Sequence, residues 1–211
     1  TMDEFFLIRY SEEIWRRSGE HLFLVAIAIT IATTVGIPLG ILITRKPQLS
    51  SAILGVANIL QTVPSLALFG FLISVPIIGG IGAVPAIFAL TLYALLPIIR
   101  NTYTGIVGVD PAIREAGRGM GMTDWQLLSQ VEIPLAMGVI LAGVRVSTAI
   151  SVGTATIAAA IGAGGLGALI FQGISMVNNQ LILAGAVPAA AIALIADGAI
   201  GWLEHQLTVK K

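Results

Sequence analysis

The chain has no cysteine, only two histidines, and 10% charged residues in a length of 211. Each shortage excludes something. Without cysteine there is no disulfide, thiol nucleophile or thiolate metal site, and His21 and His205 alone make no metal centre. The lysines are Lys46, Lys210 and Lys211; none follows a glycine and precedes Ser or Thr, so the chain holds no phosphate-cradling P-loop. No catalytic residue set and no metal site are expected. The charged fraction is less than half of the roughly 25% usual in a soluble domain, too little to cover a globular surface. With 56% hydrophobic residues and a mean hydropathy of +0.96, the expected solvent for most of the chain is the lipid bilayer. A formal net charge of zero argues against nucleic acid as a partner. The first twenty residues hold Asp3, Glu4, Arg9, Glu12, Glu13, Arg16, Arg17 and Glu20, which is not the pattern of a cleavable signal peptide.

Charge-free runs set the topology. Leu22–Thr44 reaches roughly 34 Å at 1.5 Å per residue, enough for a hydrocarbon core of about 30 Å. From Pro47 to Ile99 there is no charge, and Pro76, Gly79, Gly80 and Gly82 divide the run into spans near Ala52–Val75 and Ala83–Gly105. Two more spans are expected near Leu135–Ile161 and Leu181–Leu203. Between them, Gly162–Gly167 leads into an apolar piece ending at Ile174, too short to cross and tolerable as a re-entrant segment if protein shields its backbone. The predicted fold is therefore all-α and polytopic, with about five transmembrane helices over residues 22–203. An extracytoplasmic tail over 1–21 precedes them, and a cytosolic tail over 204–211 follows. Arg45, Lys46, Arg114, Arg118, Lys210 and Lys211 fall on one side, with Arg100 at a span end; Arg9, Arg16 and Arg17 fall on the other. The positive-inside rule then puts the N-terminus outside and residues 110–135 inside. Phe6, Tyr10 and Ile14 at helical spacing predict a short amphipathic helix on the outer surface.

The internal loop is the most charged stretch between spans. Asp110 is a natural N-cap, Pro111 suits the first helical position, and Thr123 with Gln126 forms a capping box for a second helix after the Gly119–Gly121 turn. Pro134 is expected to break the helix where the next span begins. Glu115, Arg114, Arg118 and Asp124 offer charge, and Met120, Met122, Trp125 and Leu128 offer apolar contact. An amphipathic hairpin that is merely solvated would look similar. The spacing says more: Glu115-Ala116-Gly117, three residues, Gly121, nine residues, Val131-Glu132-Ile133-Pro134. This resembles the EAA loop of the permease subunits of binding-protein-dependent ABC importers.

That resemblance extends over most of the chain. Asn58–Ala67, Leu92–Ile106 and Ile161–Gly167 look like the corresponding segments of osmoprotectant permeases, which take up glycine betaine, carnitine or choline. It implies a permease in the cell membrane of a prokaryote, a second like or similar permease subunit, and an extracytoplasmic solute-binding protein. It also implies separate ABC ATPase subunits that hold the ATP and Mg, with no cofactor on this chain. The docking residues it implies are Arg114, Glu115, Ala116, Gly117, Gly121, Asp124, Trp125 and Pro134. Gly117 stands where alanine is usual, at a helix cost of about 1 kcal/mol, and is expected to loosen the first helix of the loop.

Other features carry two readings each. Gly162–Gly167 spells GxGxxG, but a dinucleotide site needs a preceding strand and an acid about 20 residues on, and both are missing here. Gly164 and Gly165 are read as close packing or as a gate at the outer end. Ser147, Ser151 and Thr154 form a small-residue stripe that either lines a path or packs helices. Gly36 and Gly40 are read as a packing face. Asn58, Gln61, Thr62 and Ser65 flank Pro64 as a polar kink beside a pathway or one satisfied by its own side chains. Tyr93 is the only tyrosine well inside a span, so an aromatic cage for a quaternary ammonium group is expected on the binding protein and not here. Arg145 and Asp197 are the opposite charges within spans, at compatible depths, and are expected to pair unless Arg145 snorkels to the interface. The same machine with another cargo, such as methionine, is the nearest alternative. An ion-coupled carrier and a non-transporting scaffold are more distant ones; the single intramembrane acid and the lack of an inverted repeat weigh against the carrier.

Overall fold

The protein is described here by a computed structural model covering residues 6–76 and 78–208, without the side chains of Phe6 and Leu7. Phe6 as part of an amphipathic face, the acids Asp3 and Glu4, and the tail cations Lys210 and Lys211 lie outside the described residues. In chain order the α-helices are α1 (Phe6–Arg9), α2 (Ser11–Arg45), α3 (Ser50–Thr62), α4 (Ser65–Ile73) and α5 (Ala83–Val107). They continue with α6 (Pro111–Gly119), α7 (Asp124–Leu127), α8 (Ile133–Ala158), α9 (Gly167–Ser175) and α10 (Asn179–Leu207). No strand occurs among the described residues.

Four helices are long and apolar enough to cross a membrane: α2, α5, α8 with its preceding turns, and α10. The α3–α4 pair is a fifth if counted as one span, bent by 95°. Connectivity requires it to cross. At the end of α2, Arg45 meets Glu132 at the end of the bundle that carries the internal loop. At the opposite end, the Gly82 amide donates to the Ile161 carbonyl at 2.9 Å. The chain from 46 to 82 must join these two ends.

Two expectations are corrected. The second span is not one helix with a kink: α3 ends at Thr62, Val63 and Pro64 are extended, and α4 turns away. Proline cannot donate, and it disfavours helical geometry in the residue before it. The N-terminal tail is not one amphipathic surface helix either: α1 is a separate short turn ending at Arg9, and the rest belongs to α2. From Ser11 it is continuous with the first span, and Tyr10 and Ile14 pack on Leu166, Leu169, Leu181 and Ala184. Their apolar face is covered by α9 and α10.

The core is built on close approach. A Cβ on Gly36 would lie 2.8 Å from Ile98 Cγ2, and one on Gly40 2.5 Å from Thr102 Cβ, so the Gly36/Gly40 face brings α2 against α5. A Cβ on Gly143 would meet the Pro97 carbonyl at 2.8 Å, bringing α8 against α5. Phe69, Leu72, Leu90, Tyr93 and Val152 fill the space where α4, α5 and α8 meet. The re-entrant α9 lies back along α10: a Cβ on Gly185 would fall 2.6 Å from the Leu166 carbonyl oxygen.

Candidate functional site: the internal loop and its supports

The loop folds from local signals. The Asp110 carboxylate accepts from the Ala112 amide at 2.8 Å, and Pro111 opens α6. Thr123 Oγ1 accepts from the Gln126 amide at 3.3 Å, and the Gln126 side chain accepts from the Thr123 amide at 2.9 Å, completing the capping box. Between them Gly121 sits at φ +83°, and the Met122 amide donates to the Gly117 carbonyl at 3.1 Å. That is a glycine-terminated helix end, where any side chain is strained by roughly 1–2 kcal/mol. Nothing lies within 4 Å of a Cβ built there, so only the backbone geometry demands glycine. Gly121→Val is therefore expected to leave insertion intact while displacing α7 relative to α6. Uptake should fall much more than ATPase turnover in the assembled transporter, and wild-type uptake in that variant would refute this role.

Gly117 does the opposite of what the helix penalty suggests. It is buried, and a Cβ there would meet Leu127 Cδ1 at 2.8 Å and Met122 Sδ at 3.2 Å. It tightens the packing of α6 on α7 and does not loosen it. Glu115, Ala116, Arg118, Met120, Asp124 and Trp125 are exposed, with Met120 at 78% and Trp125 at 72%. Leu128 is buried and contributes to the bundle core, so it is not part of the apolar surface offered outward.

Pro134 does not break the helix. The chain stays helical from Asp124 to Ala158, passing through a wider π turn at Leu128–Glu132 in which the Ile133 amide donates to the Leu128 carbonyl. In an α turn the proline ring would clash with the carbonyl four residues earlier; the wider turn removes that conflict. The loop's second helix and α8 are thereby one continuous helical stretch.

Arg114 points inward. Its Nε lies 3.0 Å from Glu132 Oε1, an ionic contact without hydrogen-bond alignment, and its Nη2 donates to the Ile106 carbonyl. Arg45 donates to both oxygens of the same carboxylate. Glu132 was not singled out from sequence, although a signal existed: Leu128, Glu132, Ala136 and Ile140 recur every four residues and all are buried. An acid on such a stripe requires a cation.

The pathway candidates do not converge on one cavity within the chain. Asn58 is exposed. Gln61 Nε2 donates to the Tyr93 carbonyl at 3.3 Å, and Tyr93 Oη donates to the Val63 carbonyl at 2.5 Å, so these two close the break before Pro64. Ser65 opens α4 half-buried. Ser147 is buried and donates to the Ala94 carbonyl at 2.8 Å; Ser151 is buried beside it; Thr154 donates to the Ile150 carbonyl at 2.9 Å. Gly164 and Gly165 have φ +80° and +75°, and the Gly165 amide donates to Glu20 Oε2 at 2.9 Å. A Cβ on Gly164 would lie 2.5 Å from that carboxylate, so the glycine turn is seated tightly on α2. Arg145 donates to both oxygens of Asp197, at 2.5 and 2.8 Å, and also reaches Glu204 at 3.4 Å, a second partner that the sequence did not predict.

Comparison with known proteins adds the identity of this architecture. Residues 36–209 match a family described as the binding-protein-dependent transport system inner membrane component. The carnitine transport permease protein OpuCB of Listeria monocytogenes is 49% identical over 92% of this chain and 88% of its own length. The glycine betaine/carnitine/choline transport system permease protein OpuCB of Bacillus subtilis is 45% identical over 97% of this chain and 93% of its own. The osmoprotectant import permease protein OsmW of Salmonella typhimurium is 48% identical over 90% of this chain and 87% of its own. Among solved structures, an inward-facing MetNI methionine ABC transporter chain superposes with a TM-score of 0.84 at 24% identity, covering 93% of this chain and 96% of that one. This last likeness is one of fold.

Proposed function

Because the chain belongs to the family of binding-protein-dependent transport system inner membrane components and is a permease subunit of an ABC importer, we propose that it passes a compatible solute of the glycine betaine, carnitine and choline group inward across a bacterial cell membrane. ATPase subunits seat on the 110–135 loop and hold the ATP and Mg. A solute-binding protein delivers cargo to the outer end, and a second permease copy, identical or similar, completes the pathway. ATP-driven closure of the ATPases pushes the paired loops, opens the spans outward, and resets after hydrolysis. The observation that carries this reading is the doubly capped helix–turn–helix at residues 110–127, which presents Glu115, Ala116, Arg118, Met120 and Trp125 to the outside of the chain. A flexible loop would absorb the partner's motion; a capped one transmits it.

The pathway residues stand as candidates on this reading. Asn58, being exposed, is the polar side chain best placed to face a second permease copy; Ser147 and Tyr93 act by bracing the helices around it. The test is uptake of labelled glycine betaine into proteoliposomes holding the permease, its ATPase and its binding protein. ATP-dependent accumulation supports both machine and cargo. ATP hydrolysis without accumulation overturns the cargo, and failure to bind an ATPase overturns the machine.

A further inference from the structure

The cytosolic end of the bundle holds one carboxylate between two guanidinium groups from different elements. Glu132, on the π turn before α8, is 1% exposed; Arg45 ends α2 and Arg114 lies in α6. Among the described residues, Arg114 makes the only side-chain hydrogen bonds or ion pairs between α6 and the rest of the bundle, to Glu132 and to the Ile106 carbonyl of α5. The one buried residue of α6, Gly117, packs on Leu127 and Met122 of the loop itself. Stability alone does not account for this arrangement. Only the carboxylate is fully buried, Arg45 and Arg114 keeping 35% and 25% of their side chains exposed, and the desolvation of a buried carboxylate offsets much of its attraction to its cations. What the arrangement does supply is register: Arg45 donates to both carboxylate oxygens, and Arg114 is held between its ionic contact with Glu132 and its hydrogen bond to the Ile106 carbonyl, so α2, α6 and the π turn meet at one point.

We propose that Glu132 is a positioning residue for transport: through Arg114 and Arg45 it fastens the first helix of the ATPase-facing loop to the inner end of the first span, so that loop and span move as one body during the ATP cycle. The proposal rests on the permease reading for the partner that moves the loop. It differs from the docking role of the exposed loop residues, since Glu132 is buried within the chain. Without the fastening, ATPase closure would rotate α6 against the bundle while α2 stayed behind, and hydrolysis would proceed without productive opening.

The absence of native cysteine makes a direct test possible. Spin labels on Ala112→Cys in α6 and Gln48→Cys just beyond α2, both exposed sites, report the distance between loop and span in the nanodisc-embedded complex with its ATPase. With Glu132 present, one narrow distance is expected, unchanged on adding ATP. In Glu132→Gln the distance should broaden and shift with ATP. Solute moved per ATP should then fall about tenfold while hydrolysis is retained, within the roughly 5–150-fold range of coupling between sites. If Glu132→Gln fails to assemble because two cations face no anion, Arg45→Met/Arg114→Met/Glu132→Met removes the uncompensated charge and fills the volume with flexible side chains. That variant is expected to melt near the wild type yet keep the broad, ATP-sensitive distance. The proposal is overturned if the distance in the otherwise native protein shifts with ATP, if Glu132→Gln keeps both the narrow distance and the native yield per ATP, or if the triple variant recovers both. The distance reading needs no solute, so a wrong cargo leaves it standing. A wild-type chain that binds no ATPase would remove the permease reading and the proposal together.

Discussion

Gly167→Ala is expected to be the most damaging single methyl group that can be added to this protein. A Cβ there would lie 1.9 Å from the Thr156 carbonyl oxygen and 2.6 Å from its carbon. Both are backbone atoms, so no side-chain rotation relieves the overlap. α9 would have to lift from the end of α8, and it cannot do so locally. Its other face is held where a Cβ on Gly173 would meet the Ile182 amide at 2.7 Å and one on Gly185 the Leu166 carbonyl at 2.6 Å. Overpacking a tight core costs about 1–3 kcal/mol, and a backbone collision belongs at or beyond the upper end. At the soluble-domain scaling for a chain of this size that is a drop in melting temperature of roughly 6–12 °C. Gly153→Ala, on α8 with nothing within 4 Å of the new Cβ, is the control and should be neutral or slightly stabilising through helix propensity. Equal melting temperatures for the two variants in detergent would show that α9 does not approach α8 as described.

The second large effect concerns the charge cluster between α8 and α10. Arg145 lies roughly 16 Å along the helix from Pro134, well within a span, and it carries two carboxylates. Arg145→Ala leaves Asp197 and Glu204 near one another with no cation, in a region where unpaired charge is costly. Asp197→Ala leaves Arg145 its contact with Glu204. The loss should therefore be unequal, larger for Arg145→Ala, and Arg145→Ala/Asp197→Ala should be at least as stable as Arg145→Ala alone. Both melting temperature and uptake should show this non-additivity in a double-mutant cycle. Full additivity in both would mean that the contact carries no coupling. Arg145 and Asp197 are 39% and 41% exposed, so this chain sets their surroundings only in part.

Much of this protein follows from local chemistry. Span positions are legible because a bilayer-crossing helix needs about twenty apolar residues whatever its neighbours do. The loop is legible because caps are local: Asp110 reaches its own Ala112, and Thr123 and Gln126 close on each other within one turn. What was illegible depended on partners distant in sequence. Pro64 announces an interruption, but not the 95° bend, nor that Tyr93, thirty residues later, donates to the Val63 carbonyl at the break. Pro134 looks like a stop, and a π turn beside it allows the helix to continue. Gly117 looks like a weak point until Leu127 is placed against it.

The sequence by itself determined the solvent, the apolar helices long enough to cross and the loop's two capped helices, since each depends on composition, length or contacts within one helical turn. Tertiary structure alone decided which face each glycine presents, where the second span bends, and that Arg114 turns inward to Glu132 while Glu115 remains outside. The physical reason is the same in each case. A close approach or a buried ion pair is a property of two surfaces, and one stretch of sequence carries only one of them.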